Sequence, residues 1–185
     1  MFELRWHGRG GQGAVTGARI IGRGASVYEG KYAQSFPSFG TERRGAPMVA
    51  FTRIDDKPVR VRTQIYKPSA VIVLDDTLVE AVDVTDGLDE QGFVLVNTDK
   101  QPGDFSFSDK FDIYTVDATS LALEVLGSPI VNTAIVGAFA KVSPLVSFDS
   151  AMKAIGDTFS GELGEKNRKL AKLTYDELEV DNGEN

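Results

Sequence analysis

The sequence predicts a single α/β domain with a mainly parallel sheet, one β-hairpin and flanking helices. Short, continuously apolar runs at residues 70–74, 93–96 and 112–116 have the pattern of strands buried on both faces. Helical stretches separate or follow them, which is the alternation that builds parallel sheets. A strand passes through a glycine-rich corner straight into a helix at residues 2–28. At 185 residues one core suffices, since a domain of this length buries roughly 70% of its chain surface.

Each element has its own warrant. Residues 2–6 alternate Phe2, Leu4 and Trp6 against Glu3 and Arg5, a short strand. Gly8-Arg9-Gly10-Gly11-Gln12-Gly13 follows, then a helix over residues 14–28. Gly17, Gly22 and Gly24 lie in that helix, at about 1 kcal/mol each relative to alanine. Either a neighbour packs close to it or it ends near Gly22. Residues 31–47 read as a long irregular segment with two prolines and the aromatics Tyr32, Phe36 and Phe39. Residues 48–54 and 59–65 read as the two arms of a hairpin around Asp55-Asp56-Lys57-Pro58. Asp76 is placed to cap a short helix over residues 77–82. Helices are expected at 118–126, ending on Gly127 as a C′ glycine, and at 132–142, 147–159 and 163–173. The domain is expected to span residues 1–176, with 177–185 an acidic tail; from Asp176 the chain reads as frayed.

Composition bounds the chemistry. There is no cysteine, which excludes cysteine-ligated clusters, cysteine-type zinc sites and thiol chemistry within this chain. No apolar stretch reaches the ~20 residues of a membrane span, and the opening residues show a strand pattern in place of a leader, so a cytoplasmic location is expected. The formal net charge of −7 is unevenly distributed. Residues 1–70 hold twelve basic and five acidic side chains, whereas residues 71–185 hold eight and 22. A basic first third points to an anion, either a phosphate ligand or an acidic protein surface, unless it is only a chance of two solvated faces. The acidic balance and lack of a recognition motif count against nucleic acid.

The glycine-rich corner is the sharpest local signal. A strand leading through glycines to a helix N-terminus leaves backbone N–H groups unpaired where the helix dipole is positive, and phosphate suits that position. The spacing Gly11-x-Gly13-x-x-x-Gly17 departs from the dinucleotide fingerprint, and no acid ends a second strand about 20 residues on; Glu29 falls at a helix end. Anion site and tight structural turn both remain open. Arg43 and Arg44 could fork onto phosphate or carboxylate groups, or contact a neighbouring subunit beside Phe39. His7, the one histidine, has no evident partner and reads as structural. Asp75 and Asp76 end a buried strand, where α/β sites lie. No complete catalytic set and no metal-ligand spacing appears.

The segments HGRGGQGAVTG (7–17), GKYAQSFPSFGTERRGAPMVAFTRI (30–54), IVNTAIVG (130–137) and FSGELGEKN (159–167) closely resemble the γ subunit of the pyruvate and wider 2-oxoacid:ferredoxin oxidoreductase family. The similarity runs from residue 2 to about 176, with Gly17 where relatives commonly have alanine and Thr41 where they often have valine. The resemblance implies an assembly that decarboxylates a 2-oxoacid oxidatively, reduces ferredoxin and transfers the acyl group to coenzyme A. Thiamine diphosphate, Mg and [4Fe–4S] clusters are then expected in partner α, β and δ subunits only. It further implies that this subunit supports assembly and binds coenzyme A. Coenzyme A carries phosphates, so the expected contacts are the backbone of Gly10, Gly11, Gln12 and Gly13 with charge from Arg9, Arg43 and Arg44. The rival expectations are a pure scaffold and a free-standing Rossmann-like nucleotide-binding protein.

Overall fold

The computed structural model describes residues 1–38 and 45–179. Six strands form one sheet: β1 (Phe2–Arg9), β2 (Tyr32–Pro37), β3 (Pro47–Asp55), β4 (Ala70–Val73), β5 (Phe93–Asn97) and β6 (Asp112–Val116). Their spatial order is β2-β3-β1-β4-β5-β6. β1, β4, β5 and β6 run parallel, and β3 is antiparallel to both β1 and β2. The helices are α1 (Ala14–Arg23), α2 (Thr77–Ala81), α3 (Ala118–Leu126), α4 (Asn132–Val142), α5 (Phe148–Thr158) and α6 (Gly161–Glu177). The α/β expectation with a mainly parallel sheet and a hairpin therefore holds.

Alternation along the strands divides the core in two. Leu4, Trp6, Ala50, Ile54, Ala70, Ile72 and Leu95 face α1 and α3–α6 and are fully or almost fully buried with them. Val71, Val73, Val94 and Val96 face the other way, onto Leu78 of α2 and onto Val84, Leu88, Phe105 and Phe107. One sheet face is thus covered by helices and the other mainly by irregular chain. No helix among the described residues is long and apolar enough to cross a membrane.

The hairpin has a different second arm from the one expected. β3 pairs with β2, with Tyr32 opposite Asp55 and Phe36 opposite Phe51. Residues 59–65 form no ladder, although Val59, Val61, Thr63 and Ile65 alternate as a strand would. The cause lies on the sheet's second face. The Arg53 guanidinium donates to the carbonyls of Val61 (3.2 Å) and Gln64 (3.3 Å), and Gln34 Nε2 donates to Val59 (2.8 Å). Side chains of the sheet therefore satisfy carbonyls that a neighbouring strand would otherwise have bonded. Conversely, residues 32–37, expected as part of an irregular segment with two prolines and exposed aromatics, form a strand, since an edge strand tolerates a proline at its end.

The helix after the glycine corner ends at Arg23 and continues as one π turn, Gly24–Tyr28. The close packing implied by its glycines is present: Trp6, Ser35 and Val146 crowd Gly17, Gly22 and Gly24. α6 runs further than its basic stretch, because Leu178 is buried just beyond it and Lys172 pairs with Asp176 at 2.5 Å. The frayed start expected at Asp176 is therefore helix up to Glu177. Asp117 and Ser147 cap α3 and α5 through their side chains, and Gly127 terminates α3 in the left-handed conformation as expected.

Candidate functional site

The glycine-rich corner opens at the carboxyl ends of the parallel strands, the position ligands occupy in open α/β sheets. β1 delivers Arg9 there, and Gly10 pairs with the chain returning to β3: its N–H donates to the Ala46 carbonyl (2.9 Å) and its carbonyl accepts from Gly45 (3.0 Å). Gly13 sits at φ +83°, and a Cβ there would run into Asn132 Nδ2, so only glycine fits. α1 starts immediately after. Among the described residues, the amides of Gly11, Gly13, Val15 and Thr16 have no hydrogen-bond partner, and Gly11 is exposed. Those of Gly13, Val15 and Thr16 are the orphan donors expected at a helix start, and Gly11 adds one from the turn before it.

One carboxylate ties the corner together. Asp75 Oδ2 accepts from Arg9 Nε (3.0 Å) and Gln12 Nε2 (2.9 Å), while Oδ1 accepts from the Thr77 N–H (3.2 Å). Gln12 Oε1 in turn accepts from the Arg9 N–H (2.7 Å), and Arg9 Nη2 reaches Thr77 Oγ1 (2.8 Å). Burial pushes the Asp75 carboxyl up, but hydrogen bonds from Thr77 and Gln12 and the Arg9 charge outweigh it, and its pKa lies below the usual value. Asp75 therefore does what was expected of Asp76 at the start of α2. Asp76 makes no cap; it accepts from Thr98 Oγ1 (2.9 Å) and pairs with Lys100 (3.2 Å).

A cleft of about 800 Å³ runs from Gly10–Gln12 past Asp75 and Asp76 to Asn97–Asp99 and Ser128–Ile130. Its described wall is not strongly basic. Arg9 is at the corner as predicted, but its charge is engaged by Asp75. Arg43 and Arg44 lie outside the described residues; Gly45, next in sequence, is bonded to Gly10. The backbone of Gly10, Gly11, Gln12 and Gly13 is brought together with Arg9 as the sequence suggested.

The His7 side chain takes no part in this network. It is buried on the second sheet face, where its Nε2 accepts from Arg5 Nε at 3.1 Å. Burial and the Arg5 charge lower its pKa to about 4, so it is a neutral acceptor at pH 7. Two asparagines were missed. Asn97 Nδ2 donates to the Leu74 carbonyl and to Thr119 Oγ1 (both 2.9 Å), stitching β4, β5 and the start of α3 along the cleft floor. Asn132 packs against Gly13, and Thr133 beside it donates to Asn167 of α6 (2.8 Å). Each asparagine ends an apolar run and precedes a threonine, a signal that could have marked both.

Residues 3–177 match the family model described as pyruvate ferredoxin/flavodoxin oxidoreductase. The chain belongs to that family. It is 57% identical to the pyruvate synthase subunit PorC of Methanocaldococcus jannaschii, over 96% of this chain and 97% of that protein. It is 56% identical to the common γ subunit of the pyruvate/ketoisovalerate oxidoreductases of Pyrococcus furiosus, over 97% and 98%. The crystal structure of pyruvate oxidoreductase subunit PORC from Thermotoga maritima superposes with a TM-score of 0.82 at 37% identity, covering 96% of this chain and 97% of that one. A 2-oxoglutarate:ferredoxin oxidoreductase from Magnetococcus marinus, solved with 2-oxoglutarate, coenzyme A and succinyl-CoA bound, shares the fold at 15% identity and a TM-score of 0.74, over 95% of this chain and 31% of that one. The segments that carry the family resemblance meet in space, since residues 7–17 pack on Asn132 and residues 130–137 on Asn167.

Proposed function

We propose that this chain is the γ subunit of a multi-subunit, cytoplasmic pyruvate (2-oxoacid):ferredoxin oxidoreductase. It assembles with α, β and δ subunits and contributes to binding coenzyme A, with ferredoxin as the electron acceptor of the complex. The observation that carries this reading is the end-to-end match to γ and PorC subunits at more than 50% identity. Thiamine diphosphate, Mg and the [4Fe–4S] clusters belong on the partner subunits in this reading, consistent with a chain that has no cysteine.

The open corner fits a phosphate-bearing ligand. The amides of Gly11 and Gly13 and the start of α1 supply donors and a positive dipole, and the cleft beside them has room for a nucleotide. The Gly11 and Gly13 amides would receive phosphate oxygens, with Arg9, Arg43 and Arg44 supplying charge; the Gly10 and Gln12 amides, expected to share that role, are instead bonded to the Ala46 and Arg9 carbonyls and shape the turn. Bound there, coenzyme A supplies the thiol that accepts the acyl group. This chain's part is to bind and orient; none of its described side chains forms a catalytic set.

One observation favours the scaffold reading: Arg9 is neutralised by Asp75, and Asp76 and Asp99 line the same cleft. Charge reversal of Arg43 and Arg44 in the reconstituted complex separates the two. A rise of about tenfold or more in the apparent KM for coenzyme A, with kcat retained at saturation, supports binding. An unchanged KM or a complex that fails to assemble supports the scaffold.

A further inference from the structure

We infer that the β2 edge, together with the basic stretch from Lys57 to Lys67, is a docking surface for an extended acidic segment of a partner chain in the complex, an inference that rests on the subunit reading above.

β2 is an outer strand of the sheet, with no described strand on its free side. The Ser38 N–H donates to Val49 across the hairpin at 2.7 Å. Antiparallel pairing alternates, so the backbone groups of Ala33 and Ser35 point away from β3. Such an edge is a template for another strand. At it lies an apolar slot of about 470 Å³ lined by Gln34, Ser35, Phe36, Pro37 and Arg62. Gln34 Oε1, buried beside this slot, is the only buried side-chain polar atom among the described residues without a hydrogen-bond partner.

The flanking stretch supplies the charge. Its eleven residues include Lys57, Arg60, Arg62 and Lys67 and no acid. None of these four forms an ion pair among the described residues. The stretch is fixed in place, because Arg53 and Gln34 hold its carbonyls and Ile65 is buried. Arg60 and Arg62 remain exposed, and Tyr66 is 72% and Tyr32 48% exposed. Aromatics among arginines on a fixed surface are the composition of binding hot spots.

The occupant is a different chain. This chain's own acidic surface lies at the opposite sheet edge, around Asp112, Asp117 and Glu177. Copies joined basic edge to acidic edge would make a head-to-tail contact, which builds rings or filaments of this chain alone and leaves no place for the partner subunits at that edge.

The test uses the complex. An affinity-tagged chain carrying Arg60→Glu and Arg62→Glu is co-expressed with the partner subunits and recovered at 0.15 M salt, beside wild type and a Lys166→Glu/Lys169→Glu variant with the same charge change on α6. The expected result is at least ~10-fold lower recovery of partner chains for the first variant only. A benzophenone photocrosslinker replacing Tyr66 in the otherwise wild-type complex should capture a partner through a segment rich in Asp and Glu, and this arm stands even if the reversal variant misfolds. Equal recovery by all three chains overturns the proposal, as does capture of a neutral or basic segment or no capture. Self-association of the isolated chain that Arg60→Glu/Arg62→Glu abolishes overturns it in favour of a second copy. A wild-type chain that recovers no partner at all sinks the subunit reading itself, and this proposal with it.

Discussion

Gly13→Ala tests the geometry of the corner directly. Gly13 has φ +83°, and a Cβ there would overlap Asn132 Nδ2. The left-handed backbone costs an ordinary residue roughly 1–2 kcal/mol. The overlap with a buried side chain adds roughly 1–3 kcal/mol, since Asn132 is only 4% exposed and its Oδ1 is engaged by the Thr133 N–H. The sum, about 2–5 kcal/mol, is a large fraction of the stability of any domain. For a chain of this length it corresponds to a fall in Tm of about 4–20 °C. Calorimetry and urea unfolding measure it. The double variant Gly13→Ala/Asn132→Ala should recover the overlap but not the backbone strain, giving a favourable coupling of about 1–2 kcal/mol between the two sites. A Gly13→Ala chain within 0.5 kcal/mol of wild type, or strictly additive single changes, would falsify the close approach of α4 to the glycine turn.

Four further outcomes are expected. Thr133→Val strands Asn167 Oδ1 without its donor and should destabilise the chain by about 1–3 kcal/mol in urea titration. His7 has its folded pKa lowered to about 4, so the fold binds fewer protons than the unfolded chain; stability is complete above pH 6.5 and lost as pH falls towards 4. That amounts to roughly 3 kcal/mol, and His7→Gln should flatten the stability profile between those two pH values. Glu29 is held at about 2 by hydrogen bonds from Ser147 and Ser150, so its contribution persists above pH 4.5 and disappears as pH falls towards 2, and Glu29→Gln should remove that acid-side slope from unfolding curves. Asp75→Ala deletes the acceptor shared by Arg9 and Gln12, and hydrogen exchange of the Gly10 and Gln12 amides, which are bonded to the Ala46 and Arg9 carbonyls, should quicken by an order of magnitude or more.

Much of this was legible in the sequence where the cause is local. The runs at residues 70–74 and 93–96 are buried on both faces, so composition alone marks them as interior parallel strands. The glycine corner was legible because φ +83° leaves little alternative to glycine. The hairpin partner was not. Residues 59–65 carry a period-two pattern, but their carbonyls are bonded by the side chains of Arg53 and Gln34 and not by a strand backbone, and no local rule reports that. The same limit hid the corner's electrostatics. Arg9 looked like free positive charge, and only the fold brings Asp75, 66 positions away, onto its guanidinium. Asp76 was the natural cap by position, yet Lys100 and Thr98 draw its carboxylate towards β5.

Arg5 and Arg53 are buried on the sheet face covered mainly by irregular chain, and both reach into that chain: Arg5 to the carbonyls of Val84 and Asp86, Arg53 to those of Val61 and Gln64. A carbonyl oxygen is common to all twenty amino acids, so these clasps are blind to what the clasped residues are. The outward side chains of both stretches can therefore change wholesale while the backbone keeps its course. That leaves a surface whose lettering can be rewritten for a new neighbour without disturbing the page beneath it.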